Sequence, residues 1–321
     1  MSSERRRDPP VPRHGRPLMI EFIGTPGAGK TTLSNELIAL LREHGIAASS
    51  IIGAARDHSV RTVSGRVVAL LAPASLRGPL LWQVFYRMSM LHFLGFAREH
   101  FELCRQVLRT QLRRKVPFAT KSHGLFWFFH LAGRWRFLQT TAVGRETIVV
   151  DDGFLHRSVS FYASHSEEPD PGGVSDYVDL LPTPDLVVLV LAGREVCERR
   201  IRRRGVWEHR RHLSPPAISR YLRNAEQVVE IAVRRARARG WNVAEIFNEG
   251  TLEQVRWDLN RAVIPLLGAS PADAPSRLER SSGGTPMHSA ETGAGTTGRP
   301  ALDGPSGGVT GWRSRGRPPR C

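Results

Sequence analysis

Residues Gly24 to Thr31 read G-T-P-G-A-G-K-T, with glycine, lysine and hydroxyl at every fixed position of the pattern G-x-x-x-x-G-K-[ST]. The chemistry such a run suits is the wrapping of a phosphate chain. That chain is bulky and charged, so a loop holding it needs backbone N–H groups turned inward. Gly24, Gly27 and Gly29 permit the tight, partly left-handed turns this requires. Lys30 would set a point charge beside the β- and γ-phosphates, and the Thr31 hydroxyl would ligate Mg²⁺. Thr25, Pro26, Ala28 and Thr32 complete the expected phosphate-binding set.

Asp151 and Asp152 follow the apolar run Thr147-Ile148-Val149-Val150. A carboxylate at the C-terminal end of a buried strand, beside such a loop, can hold Mg²⁺ or its water shell. Both aspartates are candidate metal anchors, and the one not so used would orient an acceptor or take its proton. Arg199, Arg200, Arg202, Arg203 and Arg204 form a third group, ended by Gly205 and followed by Arg210 and Arg211. It suits a lid over residues 199–214 that neutralises a transferring phosphoryl group, with Arg203 and Arg204 its first candidates. A nucleic-acid backbone or plain solvation of a helix face are the other uses of such a run. Its place between a buried strand and a long helix favours the lid.

These groups need elements to position them. Leu18 to Ile23 is short and mostly apolar, as a buried strand should be. Thr32 to His44 carries Leu33, Leu37, Ile38, Leu40 and Leu41 at helical spacing, with Gly45 as its stop. Ile46 to Ile52 reads as a second strand ending at Gly53, which makes the first helix a β-α-β crossover. Asp185 to Leu191 is β-branched and unalternating, a strand buried on both faces. Arg194 to Arg204 reads as a helix. Ser214-Pro215-Pro216 opens a longer one, closing at Gly240, with Ile218, Tyr221, Leu222, Ala225, Val228, Val229 and Ala232 on one face. Asn242 to Phe247 is a short last strand, and Thr251-Leu252-Glu253-Gln254 is a capping box for a final helix to about Leu267.

Between the second strand and Thr147 lies a helical insertion, residues 54–145, in which Pro73 and Pro79 break the apolar runs into several helices. It is rich in aromatics, Leu125-Phe126-Trp127-Phe128-Phe129 with Trp135 and Phe137. They would either wall a substrate site or fill the core of a helical layer, the commoner fate of aromatics at helical spacing.

Basic residues number 46 against 30 acidic, a net charge of +16, and only Lys30, Lys115 and Lys121 of them are lysines. Arginine favours planar contacts with phosphate and carboxylate, so an anionic small molecule or, less favoured, a nucleic acid is the implied partner. Cys104, Cys197 and Cys321 are too few and too far apart for a disulfide framework or zinc site. The Arg- and Pro-rich start is no secretory signal. The uncharged runs Met88 to Ala97 and Ser122 to Gly133 fall short of the roughly 18 residues that cross a bilayer. A cytoplasmic protein is expected. Residues 1–16 and 269–321 have the composition of disordered tails.

Taken together, the chain resembles the thymidylate kinase-like branch of the P-loop nucleoside monophosphate kinases over roughly residues 17–268. The resemblance rests on Gly24 to Thr31 and on Pro184-Asp185-Leu186 through Arg203-Arg204-Gly205, which is similar to that family's last core strand, helix and lid entry. It implies a three-layer α/β P-loop fold with a central parallel sheet, the helical insertion and a small Arg-rich lid. It also implies ATP with Mg²⁺ as donor, and phosphoryl transfer to a nucleotide or nucleoside. The chain departs from the family on the acceptor side. Gly153 and Phe154 follow Asp152 where the family has an arginine and an aromatic, with Arg157-Ser158 further on. Arg56-Asp57 echoes an acceptor-phosphate arginine without the Pro-Gly-Gly that should follow. Arg56 and Arg157 are therefore the acceptor-side candidates, and a sugar or antibiotic is the alternative acceptor. A nucleotide-binding switch or nucleic-acid-associated ATPase is the alternative outside the kinases.

Overall fold

Alternation of side chains along the first strand dictates the layering. In β1 (Leu18–Gly24) Met19 and Ile23 face one core, while Ile20 and Phe22 face another. A strand buried on both faces belongs in the middle of a sheet covered on both sides. The computed structural model, which describes residues 16–116, 118–142, 146–205 and 213–267 (backbone only at 74, 78, 79 and 119), has that arrangement. The five strands β1, β2 (Ala48–Ser50), β3 (Thr147–Val150), β4 (Leu186–Leu191) and β5 (Val243–Phe247) are all parallel in the order β2-β3-β1-β4-β5. One face is covered by α1 (Lys30–Glu43) and α11 (Leu252–Ala262), through Leu33, Leu37, Val255 and Leu259. The other carries the aromatic-rich core. The fold is thus the expected three-layer α/β sheet sandwich.

The insertion is helical throughout its described length: α2 (Ile51–Arg61), α3 (Val63–Leu71), α4 (Ala74–Glu99), α5 (Phe101–Arg113) and α6 (Phe118–Thr141). Most of its aromatics are core. Phe85, Phe96, Phe128, Trp135 and Phe137 are buried, and Phe96 stacks on Phe154 with ring centroids 5.3 Å apart. After β3 come α7 (Phe154–Tyr162) and α8 (Pro171–Asp179). After β4 come α9 (Arg194–Arg204) and α10 (Pro215–Ala238). The seven apolar residues expected on one face of α10 are all buried. The Thr251–Gln254 capping box forms in both directions, and a short 3-10 helix, Ile264–Leu267, follows α11.

The structure corrects the reading in three places. The second strand is only Ala48–Ser50, because the Ser50 hydroxyl accepts from Gly53 N (3.1 Å) and caps α2, so Ile51 and Ile52 are helical. That strand pairs with β3, not β1. Pro73 does start a helix, but Pro79 lies within α4. Packing along α6 outweighs the one hydrogen bond that Pro79 cannot donate. Asp185 stands just outside β4, accepting from Met19 N (2.8 Å) and from Arg16 Nη2 (2.7 Å), which ties the entry of β4 to that of β1. The expected tails other than Arg16, and lid residues 206–212 with Arg210 and Arg211, lie outside the described residues. Among those described, no helix is long and apolar enough to cross a membrane.

Candidate functional site

Because β1 sits between β3 and β4, the residues that follow β1 and β3 emerge side by side at the C-terminal edge of the sheet. The loop after β1 leads into α1 with Gly29 at its N-cap. Gly27 and Gly29 have φ of 88° and 99°, the left-handed region that glycine alone enters freely. Neither has room for a side chain. A Cβ on Gly27 would lie 2.6 Å from the Cys197 carbonyl oxygen, and one on Gly29 would collide with the Asn248 amide. Behind the loop, the Ala28 carbonyl accepts from Asn248 Nδ2 (2.6 Å) and Arg200 Nη1 (3.3 Å). Arg200 Nη2 also donates to the Asn248 carbonyl (3.0 Å).

Lys30 Nζ donates to the Gly24 and Thr25 carbonyls at 3.0 and 3.3 Å, so the amine lies across the mouth of the loop. Burial lowers its pKa to about 8, against the pull of Asp152 and Asp151. Thr31 Oγ1 donates to Asp151 Oδ2 at 2.9 Å. A hydroxyl and a carboxylate, both hard oxygen donors, meet where the motif puts Mg²⁺. Among the described residues no three His, Cys, Asp or Glu side chains cluster as a metal site. A cation held by Thr31 and Asp151 would therefore complete its shell with phosphate oxygens and water, which is how Mg²⁺ is commonly bound. The residues fit the ion.

A cavity of about 520 Å³ opens from this loop. Pro26, Gly27, Gly29, Lys30, Thr31 and Thr32 line one side. Opposite are Asp152, His156 and Arg157 with one face of α6, Thr120, His123, Gly124 and Trp127, at the i, i+3, i+4 and i+7 positions of a helix. Arg157 Nη2 is ion-paired with Asp152. Asp152's enclosed position raises its carboxyl pKa despite Arg157 and Lys30. Burial, with Lys30 and Arg157 nearby, holds His156 neutral far below its usual range, and its Nδ1 is buried without a hydrogen-bond partner. Asp151, Asp152, Arg157, Lys30 and Arg204 thus share one cavity. Arg203 does not line it and is exposed. Arg56 is likewise exposed on α2 and outside the cavity.

Two residues that sequence reasoning passed over, Asn248 and Glu21, and one it ranked behind its neighbours, Arg200, hold the site together. Arg200 rather than Arg203 reaches the loop, because a helix turns 100° per residue and the 200, 201 and 204 positions share the inward face. Asn248 reaches Ala28 across 220 residues of sequence, and no local pattern marks it. Glu21 sits in the middle of an apolar strand, 1% exposed. Its carboxylate accepts from Phe154 N (3.2 Å) and Leu155 N (3.0 Å) and so caps α7 behind Asp152. A lone acid within a buried strand was the available signal. Glu21 also explains Gly153. A Cβ there would be 2.5 Å from the Glu21 carboxyl carbon, so no arginine can follow Asp152.

Burial raises the Glu21 pKa from 4.5 to about 7, the two N–H donors opposing and Asp152 adding to the rise. An acid whose pKa is higher folded than unfolded binds its proton more tightly in the folded state. Its contribution to stability therefore falls as pH climbs from about 4.5 to about 7 and is flat above that. Glu21→Gln removes this titration. The stability of the variant relative to wild type should rise by about 3 kcal/mol across that window, measured by urea unfolding at a series of pH values. A pH-independent difference would show that Glu21 is ionised normally.

No family model matches the chain, and no curated protein matches it in sequence. Among solved structures, deoxyadenosine kinase from M. mycoides with bound dATP is similar to it at 15% identity and a TM-score of 0.36, covering 75% of this chain and 95% of that one. The same enzyme with bound dCTP is similar at 12% identity and a TM-score of 0.34, covering 76% and 98%.

Proposed function

We propose that the chain is a P-loop kinase that transfers the terminal phosphoryl group of ATP to a small acceptor, a nucleoside first among the candidates. The observation that carries this reading is the two-sided cavity. A phosphate loop with its lysine and its Thr31–Asp151 pair forms one wall, and a carboxylate, an arginine and an aromatic helix face form the other. A site for nucleotide alone would not need the second wall.

In this reading the loop amides and Lys30 hold the donor's phosphates. Thr31 and Asp151 hold Mg²⁺, which supplies charge neutralisation on the phosphate oxygens. Asp152 orients the acceptor hydroxyl and accepts its proton, a role its raised pKa suits. Arg157 positions Asp152 through their ion pair. Arg204, with Arg200 behind the loop, adds positive charge beside the transferring group. Trp127 and His123 offer ring faces to an acceptor base or sugar. Catalysis is then mostly alignment and charge stabilisation.

The acceptor side favours a hydroxyl over a phosphate. Among its described lining residues the one arginine, Arg157, is already paired, and Arg56 is elsewhere. The same observation keeps a sugar-like or antibiotic acceptor as the second reading, and places a thymidylate-type monophosphate behind both.

The test is a transfer screen with Mg·ATP against nucleosides, nucleoside monophosphates and hydroxylated small molecules. Transfer to a nucleoside is the expected result. Transfer to a monophosphate alone would move the acceptor assignment back to a nucleotide. Tight ATP binding without transfer to any acceptor would sink the kinase reading in favour of a nucleotide-binding switch. Asp152→Asn should lower kcat roughly 100-fold while leaving ATP affinity intact, a split read by steady-state kinetics beside direct ATP titration.

A further inference from the structure

The insertion turns an apolar, basic face outward. On α3, Val63, Val67, Leu70 and Leu71 fall at i, i+4, i+7 and i+8, one face of a helix, and three of them are 79–81% exposed. On α4, Leu76, Leu80, Met90, Leu91 and Leu94 repeat the pattern along the side of the helix turned away from the buried Phe85, Ser89 and Phe96. Gln83 and Arg87 occupy the positions of that stripe between Leu80 and Met90. The stripe runs nearly the whole of a 26-residue helix, about 39 Å. Exposed apolar side chains in this continuity mark an interaction surface.

Charge decides what covers it. No Asp or Glu occurs between Asp57 and Glu99, while Arg61, Arg66, Arg77, Arg87 and Arg98 all do, and all five are exposed. A second copy of the chain is a poor match. Antiparallel pairing of α4 along its length would bring the central Arg87 against its own mate, in an apolar seam without an acid. A peptide partner would have to be both acidic and strongly apolar over some 39 Å. An anionic lipid surface meets both demands at once. The leucines and valines enter the acyl boundary, and the arginines extend their apolar stems and reach the headgroup phosphates. No described helix can cross a bilayer, so the contact is with one leaflet.

We infer that the outer face of α3 and α4 docks this protein on an anionic membrane surface. This goes beyond the kinase reading and does not depend on it. The test uses the full chain in co-sedimentation with phosphatidylcholine vesicles and with phosphatidylcholine–phosphatidylglycerol vesicles. Binding is expected to the second and to weaken with salt. Arg66→Gln with Arg77→Gln should weaken it roughly 30-fold, at about 1 kcal/mol per arginine near the surface. Leu70→Asp with Leu71→Asp should weaken it at least roughly 10-fold. These four side chains are exposed and outside the cavity, so both variants should keep the wild-type Tm and any transfer activity towards a soluble acceptor. Vesicle binding that both variants retain would assign it to the arginine-rich ends of the chain and overturn the inference. Equal binding to both kinds of vesicle would do the same. A lipid-free dimer that Leu70→Asp with Leu71→Asp dissociates would show that a second copy covers this face instead.

Discussion

Lys30→Met is expected to abolish transfer while leaving the fold at least as stable as wild type. The loss follows from position. Lys30 Nζ crosses the mouth of the loop on the Gly24 and Thr25 carbonyls, where a phosphate chain would have to lie. A positive charge in an enclosed site is worth far more to a developing anion than one in water, so kcat should fall at least about 10³-fold. The stability half follows from linkage. The amine's pKa is about 8 folded against 10.5 ordinarily. Below pH 8 both folded and unfolded chains carry the proton, and the cost of burying the charge is fully present. It declines as pH rises from about 8 and is gone above 10.5. Methionine keeps the stem and removes that cost, so at pH 7 the Tm should match or exceed that of wild type, by scanning calorimetry beside the transfer assay. A residue kept against stability is kept for function. A variant that loses several degrees of Tm together with activity would make Lys30 a structural residue.

Gly133→Ala should have the largest effect on stability. An alanine in a helix ordinarily gains about 1 kcal/mol over glycine. Here the sign inverts, because α4 and α6 touch backbone to backbone at this point. A Cβ on Gly133 would lie 2.7 Å from the Ser89 carbonyl carbon and deep inside its oxygen. Backbone cannot rotate aside as a side chain can, so the helices must separate. We expect a loss of about 3 kcal/mol and a fall in Tm of roughly 10 °C. Gly133→Val should cost little more, because the collision is already complete at Cβ. A stabilised Gly133→Ala would show that the two helices lie farther apart. Activity should suffer too, since α6 also carries His123 and Trp127 into the cavity.

What the sequence made legible were features written within one segment. The loop, the apolar strand ending in Asp151-Asp152, α10 with its buried face and the Thr251–Gln254 box each declare themselves over a few turns of chain, and the three-layer parallel fold follows from them. The parts that escaped are defined by partners far away. Glu21 is one letter in an apolar strand until Phe154 and Leu155 arrive, 133 and 134 residues later. Arg203 and Arg200 are equivalent in an arginine run, and only the rotation of α9 against the loop separates them. The aromatic segment held both answers at once. Phe128 and Trp135 are core, while Trp127, about a quarter-turn round the helix from both, lines the cavity. Arg56 looked like an acceptor contact because Arg56-Asp57, following the second strand, echoes the acceptor-phosphate arginine of the family the chain resembles. With the strand ending at Ser50, Arg56 falls on an exposed turn of α2.

The Ala28 carbonyl, held from behind by Asn248 and Arg200, bears on the entropy of binding. A glycine-rich segment is the most expensive kind of chain to immobilise. Left free, it would surrender that disorder whenever a ligand arrived, and affinity would fall accordingly. Two side chains from the C-terminal part of the domain, remote in sequence from the loop, instead impose the order during folding, in the ligand's absence. The cost is thereby met once per molecule synthesised instead of once per encounter, and the loop greets each incoming phosphate chain already in the shape that receives it.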